Sequence, residues 1–125
     1  MSRTRIIICG GRDFRARELC FGPLDEILTQ YQEIENISGG ASGADAFGEE
    51  YAAAHGLPVT RFKPDWKRYG KAAGLIRNRE MLQYALKEQA VVIAFWDGSS
   101  HGTRDMIRKA EDAGEKVLYY RSMSR

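Results

Sequence analysis

The sequence has few of the residues that build metal sites and disulfide frameworks. It contains two cysteines and two histidines, and neither Cys9 nor Cys20 belongs to a CxxC pair. Protein zinc sites combine about four such ligands at short, recognisable spacings, so we expect no metal ion and no cofactor. Cys9 lies within an apolar run and is interpreted as a core residue.

Long hydrophobic runs are also missing. The apolar run nearest the amino terminus, residues 6–9, is four residues long. Such a run is too short for a signal peptide or for a membrane-spanning helix. We therefore expect a cytoplasmic protein that has no membrane partner.

Neither sign of charge dominates the composition. Nineteen basic and seventeen acidic side chains give a formal net charge of +2, and no basic stripe interrupts the sequence. Nucleic acid is therefore not the expected partner. The 125 residues suit one domain that covers residues 1–125 and is large enough to bury a core without disulfide bonds.

Short apolar runs alternate with segments of helical periodicity along the chain. The apolar runs predict strands at residues 5–9, 33–38, 58–62, 90–96 and 116–120. Helices are predicted to begin at Pro23 and to cover residues 44–55, 75–87 and 103–113, and residues 63–74 are predicted to form a loop. This alternation indicates an α/β fold, with one doubly wound parallel sheet of about five strands in the order 3-2-1-4-5 and helices on both faces.

Glycine-rich segments follow three of the predicted strands. Gly10 and Gly11 follow the first strand, SGGASGAD at residues 38–45 follows the second, and DGSSHGT at residues 97–103 follows the fourth. Open α/β sheets bind ligands outside the carboxyl ends of their strands, where the strand order switches direction. All three segments are expected at that edge.

The two later segments lead directly into predicted helices. A helix amino terminus offers free N–H groups and partial positive charge, and glycine lets an anion approach the backbone closely. One such turn often only connects a strand to a helix, but three at one edge favour a ligand that carries phosphate. The candidate ligand-binding residues in these segments are Gly10, Gly11, Gly39, Gly40, Ser42, Gly43, Asp97, Gly98, Ser99, Ser100, Gly102 and Thr103.

The familiar nucleotide-binding fingerprints do not match these segments. The only GK pair, Gly70 and Lys71, is followed by Ala72 and has no glycine five residues before it, which excludes a P-loop. GGASG also lacks the GxGxxG spacing of a dinucleotide-binding turn. Phosphoryl transfer driven by ATP is therefore not indicated.

Taken together, GGRDF, GGASGADAFGEEYA, FKPDWKRYGKAAGLIRNREML and AFWDGSSHGT resemble the YspA-type branch of the SLOG superfamily over residues 5–120. Wider relatives include the LOG phosphoribohydrolases, the DNA-uptake protein DprA and sensor domains of some antiviral systems. The resemblance implies a Rossmann-like fold, a nucleotide-derived ligand and a homodimer or larger homo-oligomer. Members of this branch are frequent in phage genomes, so a phage-encoded protein is one expectation.

Several side chains outside the glycines are candidates for the ligand site. Arg12 follows the first glycine pair and suits a phosphate, or it forms a surface ion pair. Asp45 begins the second helix and either complements the helix dipole or accepts a ribose hydroxyl. Arg77 and Asn78 match the RN pair that faces the ligand in the resembled family. Trp66 either stacks on a base or plugs the edge of the core, and Tyr69 has the same two alternatives.

The sequence favours binding over catalysis. LOG enzymes carry a PGGxGTxxE motif that ends in a functional glutamate, and DGSSHGTRDM aligns Gly102 and Thr103 with it but places Met106 at the glutamate position. Methionine cannot ionise, and Asp105, one residue away, is rotated by about 100° around the helix. Asp45, Asp97 and Asp105 remain as weak catalytic candidates.

Three functions follow from these patterns. The first is binding of a phosphate-bearing nucleotide derivative, such as an ADP-ribose-like or cyclic nucleotide signal, for sensing or sequestration. The second is LOG-like hydrolysis of an N-glycosidic or phosphate bond. The third, DNA binding like that of DprA, is disfavoured by the nearly balanced charge.

Overall fold

A computed structural model describes residues 3–11, 17–40, 43–96 and 100–121 of the chain. Within these ranges, strands and helices alternate from one end to the other. The strands are β1 (Thr4–Gly10), β2 (Ile34–Ser38), β3 (Val59–Arg61), β4 (Gln89–Trp96) and β5 (Val117–Arg121). The helices are α1 (Arg17–Leu28), α2 (Ala44–Ala54), α3 (Trp66–Tyr69), α4 (Ala73–Ala85) and α5 (His101–Asp112), with a 3-10 turn at Gly70–Ala72.

The five strands form one sheet in the order β3-β2-β1-β4-β5. Every neighbouring pair is parallel, so the predicted fold class and strand order are confirmed. Ile7 in the central strand stands opposite Ile37 of β2 and Val92 of β4. The carboxyl ends of β1, β2 and β4 therefore lie side by side at one edge.

Buried side chains cover both faces of the sheet. Neighbouring residues of a strand point to opposite faces, so Ile8 packs with Leu24 of α1 and Tyr51 of α2, whereas Cys9 packs with Met81 of α4. The core position predicted for Cys9 is confirmed. No helix in the described ranges combines the length and the apolar character needed to cross a membrane.

A buried carboxylate joins the sheet to helix α4. Glu35 of β2 accepts hydrogen bonds from Arg5 Nε at 3.1 Å, from the Tyr84 hydroxyl at 2.7 Å and from the Thr60 hydroxyl. Burial alone raises the pKa of Glu35, but the hydrogen bonds from Thr60, Tyr84 and Arg5, with the Arg5 charge, bring it below its ordinary value. Glu35 is therefore held in its ionised form.

The first helix corrects one sequence prediction. Pro23 was predicted to begin the helix, but α1 begins at Arg17 and Pro23 lies inside it. Proline disfavours helical backbone at the preceding residue through a clash that involves that residue's Cβ. That residue is Gly22, which has no Cβ, so the helix continues through Pro23 and buries Leu24 and Ile27.

The segment between β3 and α4 corrects another prediction. Residues 63–74 were predicted to form a loop, but they contain α3, the 3-10 turn and the first two residues of α4. Asp65 begins α3 because its side chain accepts a hydrogen bond from the backbone N–H of Arg68 at 3.2 Å. This side-chain cap stabilises a helical turn that has no buried residue of its own, so the segment carries no apolar periodicity.

Candidate functional site

The candidate site lies at the carboxyl edge of the sheet. Strands β1, β2 and β4 end there at Gly10, Ser38 and Trp96, as the strand order predicted. The predicted site residues Arg12, Ser42, Asp97, Gly98 and Ser99 lie outside the described residues.

Gly10 has a packing role at this edge. A Cβ at Gly10 would lie 2.4 Å from the carbonyl oxygen of Phe95 and 2.5 Å from the Cβ of Ala44. No side chain fits at either distance, so only glycine lets the end of β1 approach both β4 and the start of α2. Gly11 follows it and is partly exposed.

Two of the described glycines after β2 have positive φ angles. Gly40 has φ 76° and Gly43, which precedes α2, also has φ 76°, a region that suits glycine. The Ser38 hydroxyl accepts a hydrogen bond from the Gly40 N–H at 3.0 Å and donates one to Glu49 Oε2 at 2.5 Å. This pair of bonds fixes the turn at the point where β2 ends.

Arg77 lies directly against the same segment. Its Nη1 donates to the carbonyl oxygen of Gly39 at 2.7 Å, and its Nε donates to Asn78 Oδ1 at 3.1 Å. A Cβ at Gly39 would meet Arg77 Nη1 at 2.8 Å and Asp45 Oδ2 at 3.0 Å. Gly39, Asp45 and Arg77, three of the residues predicted for the site, therefore meet at one point.

Asn78 is buried and connects α4 to the start of α5. Its Nδ2 donates to the carbonyl oxygen of Gly102 and to Asp105 Oδ2, both at 3.1 Å. Asp105 also pairs with Lys109 at 2.5 Å. The polar atoms of Asn78 are thus used within the protein, and they hold the amino end of α5 against α4.

The first turn of α5 is capped by its own hydroxyl groups. The Ser100 oxygen accepts hydrogen bonds from the N–H of Thr103 at 3.3 Å and from its hydroxyl at 3.0 Å. Thr103 is buried, whereas Gly102 and His101 are exposed. Thr103 and Ser100 therefore stabilise the helix start, and the exposed backbone of the turn stays accessible at the edge.

The two aromatic residues before α4 are exposed. Trp66 has 52% of its surface exposed and Tyr69 has 38%, so the alternative that either ring plugs the core edge is wrong. A Cβ at Gly74 would lie 3.7 Å from Trp66 Cη2 and 3.8 Å from Arg77 Nη2. The Trp66 ring therefore borders the Arg77 guanidinium across a gap that Gly74 leaves unfilled.

Comparison with known proteins identifies the family. A model of the YspA, cpYpsA-related SLOG family matches residues 4–69. The chain is 34% identical to the Gene 61 protein of Mycobacterium phage D29 over 122 residues, which cover 93% of this chain and 95% of that protein. The chain belongs to the YspA, cpYpsA-related SLOG family.

A solved structure supports the fold of this SLOG protein. The crystal structure of TM1055, a structural-genomics target, superimposes with a TM-score of 0.63 over 91% of this chain and 72% of that chain, at 18% identity. A sequence identity of 18% shows a shared fold only. The sheet of this SLOG protein is thus a Rossmann-like one.

Two residues of this SLOG protein lie at the site although the sequence did not point to them. Arg61, at the end of β3, pairs with Glu49 of α2, and the hydrogen bonds from Arg61 lower the pKa of Glu49 further than burial raises it. A Cβ at Gly40 would lie 3.2 Å from Arg61 Cδ. The Glu49 carboxylate also contacts the Ser38 hydroxyl. The register that sets Arg61 beside Ser38 has no signal in the sequence.

The described part of this edge holds no cluster of metal-binding side chains. Among the described residues, no group of three or more histidine, cysteine or acidic side chains could hold a metal ion. Met106, which stands where the LOG motif has glutamate, is 1% exposed and packs in the core against the sheet. A side chain at this position faces the interior of the protein.

Proposed function

We propose that this protein binds a nucleotide-derived, phosphate-bearing small molecule at the carboxyl edge of its sheet, with residues 1–125 acting as one binding domain. The observation that carries the proposal is the position of Arg77, held by its 2.7 Å hydrogen bond to Gly39 beside the glycine turn. A guanidinium is a rigid, planar donor that matches phosphate oxygens. Here it stands between the turn and the exposed ring of Trp66.

The parts of the edge suit the parts of a nucleotide. Gly43 before α2, and the exposed His101 and Gly102 at the start of α5, would offer backbone N–H groups for phosphate. Asp45, at the same point as Arg77, would accept a hydrogen bond from a ribose hydroxyl. Trp66 offers an exposed ring on which a base can stack.

Binding without turnover fits the described residues better than hydrolysis does. The side chain at the LOG glutamate position, Met106, is buried and cannot ionise. The Asp105 carboxylate accepts a hydrogen bond from Asn78 and forms an ion pair with Lys109. We therefore propose sensing or sequestration of an ADP-ribose-like or cyclic nucleotide signal. The similarity to a phage protein suits sequestration by a phage-encoded binder.

Ligand retention followed by mass spectrometry tests the proposal. The purified protein is incubated with nucleotides, ADP-ribose derivatives and cyclic dinucleotides, washed, and denatured, and both released and unbound molecules are measured. We expect one compound to be retained intact at near-stoichiometric amount. A free base or ribose phosphate that accumulates beyond one equivalent would instead support a LOG-like hydrolase.

Substitution of Arg77 links retention to the site. Arg77→Gln removes the guanidinium and is expected to reduce retention by about tenfold or more, since a charge-assisted pair contributes about 1.5–3 kcal/mol. Arg79→Gln removes the same charge from an exposed position on the same helix and serves as the control. Equal retention by both variants, at unchanged thermal stability, would contradict a ligand site at Arg77.

A further inference from the structure

Arg77 also lines a polar cleft. It lies between the segment after β3 and helix α4, and its volume is about 200 Å³. Its polar walls are formed by Lys63, Asp65, Arg68, Tyr69, Arg77 and Glu80. Of these residues, the proposed function uses only Arg77.

Three cations from separate segments converge on this cleft. Lys63 comes from the segment after β3, Arg68 from α3 and Arg77 from α4. Converging cations repel one another, which favours an anion between them. The three side chains come together because of the fold, and they do not belong to one face of a single helix.

Two of the cations have no acidic partner in the described part of the chain. Neither Lys63 nor Arg68 forms an ion pair there. The Arg68 guanidinium instead lies over the Tyr69 ring at 5.2 Å from its centroid. Asp65 lines the same cleft, but its side chain accepts from the backbone N–H of Arg68. The charged ends of Lys63 and Arg68 are therefore available to a ligand.

The chemistry of the walls selects the class of ligand. Lys63 and Arg68 form no ion pair in the described part of the chain, and Asp65 accepts from the backbone N–H of Arg68, so this part of the cleft favours a negative group. Phosphate oxygens accept hydrogen bonds from ammonium and guanidinium groups together. The carboxylates of Asp65 and Glu80 would accept hydrogen bonds from hydroxyl groups of an attached sugar, which suits a sugar phosphate better than a bare inorganic anion.

We propose that this cleft is a second phosphate subsite, so that the ligand carries at least two phosphate groups, one at the glycine turn and one in the cleft. The inference rests on the proposed function, because the first phosphate lies at the glycine turn. Arg77 belongs to both places: Nη1 bonds to Gly39 at 2.7 Å, and the side chain also forms part of the cleft wall. The ligand is then a nucleoside diphosphate derivative and not a nucleoside monophosphate.

Calorimetric titration of the full chain with matched ligands tests this inference. The probes are AMP, ADP, GMP, GDP and ADP-ribose, and the proteins are wild type, K63Q/R68Q and K67Q/R79Q. The last variant loses the same two charges from exposed neighbouring positions that do not line the cleft, so it controls for net charge. Thermal unfolding verifies that each variant is folded, and the single variants K63Q and R68Q replace the double variant if it is not.

We expect wild type and K67Q/R79Q to bind the diphosphate compounds about tenfold more tightly than the monophosphates, as a further charge-assisted contact provides. In K63Q/R68Q the ratio of diphosphate to monophosphate affinity should fall to about twofold or less, and the monophosphate affinity should be unchanged. The second subsite is overturned if the ratio of diphosphate to monophosphate affinity is the same in K63Q/R68Q as in wild type. It is also overturned if this ratio is near one in wild type. In both cases the proposed function stands. A wild-type protein that binds none of these probes overturns the second subsite, and the proposed function is overturned only if no compound of the wider retention panel is bound.

Discussion

At the scale of single residues, the glycines of the edge differ in what they require. Gly10 is needed because a Cβ would meet backbone and side chain at 2.4 and 2.5 Å. Gly40 and Gly43 are needed because of their positive φ. Gly102 has nothing within 4 Å of a Cβ and no unusual φ. Glycine at position 102 therefore has no packing reason.

This difference predicts that two substitutions to alanine change the free energy of unfolding by different amounts. Gly10→Ala should lower the free energy of unfolding by about 2 kcal/mol or more, because the new methyl group overlaps the Phe95 carbonyl and Ala44. Gly102→Ala should stay within about 0.5 kcal/mol of wild type. Urea unfolding followed by circular dichroism measures both values. A Gly10→Ala protein as stable as Gly102→Ala would show that the end of β1 does not approach β4 so closely.

Glu35 makes stability depend on pH. Its pKa is lowered in the folded protein, so its contribution is fully present above the unfolded pKa of about 4.3 and is lost as the pH falls through the folded value. Glu35→Gln removes this contribution. The difference in unfolding free energy between wild type and Glu35→Gln should therefore be largest at neutral pH and shrink as the solution is acidified.

Chemical denaturation at a series of pH values checks the Glu35 prediction. Glu26→Gln removes a carboxylate from an exposed position and controls for the change in net charge. A difference between wild type and Glu35→Gln that stays constant from neutral pH to about pH 3 would mean that Glu35 is not held in its ionised form by Arg5, Thr60 and Tyr84.

At the scale of elements, α4 organises the edge. From its first two turns Arg77 reaches the glycine turn after β2, and Asn78 reaches the start of α5. Two neighbouring side chains of one helix thus fix two of the glycine-rich segments relative to each other. Asn78 was predicted to face the ligand beside Arg77; its polar atoms are engaged by α5 and by Arg77 itself.

Removal of the Asn78 amide should therefore weaken the fold. Asn78→Ala leaves the Gly102 carbonyl and Asp105 without this donor, and it is expected to lower the free energy of unfolding by about 1–3 kcal/mol. Gln83→Ala, at an exposed position on the same helix, should change it by about 0.5 kcal/mol at most. Denaturant unfolding of both variants measures the effect, and equal stabilities would contradict a connecting role for Asn78.

At the scale of the whole molecule, charge is balanced and no sign dominates. Fluorescence anisotropy with a labelled DNA duplex should accordingly show no saturable binding at about 0.15 M salt below about 10 µM protein, since backbone neutralisation drives such binding. Tight binding whose affinity falls steeply with added salt would favour a DprA-like function instead. The expected homodimer or larger assembly stays a prediction, which sedimentation equilibrium can measure.

The fold was predictable because its signals are local. Apolar runs such as residues 90–96 and glycine stops such as Gly114, which has φ 84°, depend on neighbouring residues only. The strand order follows from general rules of chain connection. The start of α1 and the loop at residues 63–74 were predicted wrongly. Pro23 is tolerated inside α1 because it follows Gly22, and α3 is stabilised by the Asp65 cap. Neither feature produces an apolar periodicity that the sequence would reveal.

The sequence by itself determined the parallel α/β fold, the order of its strands and the edge at which its glycine segments gather, because periodicity and turn residues act over short distances along the chain. Only the tertiary structure decided which side chains meet there. Arg77 reaches Gly39 from 38 positions away, and Arg61 holds Glu49 beside Ser38. Such contacts depend on strand register and on how α4 packs, which are set by the whole core rather than by neighbouring residues.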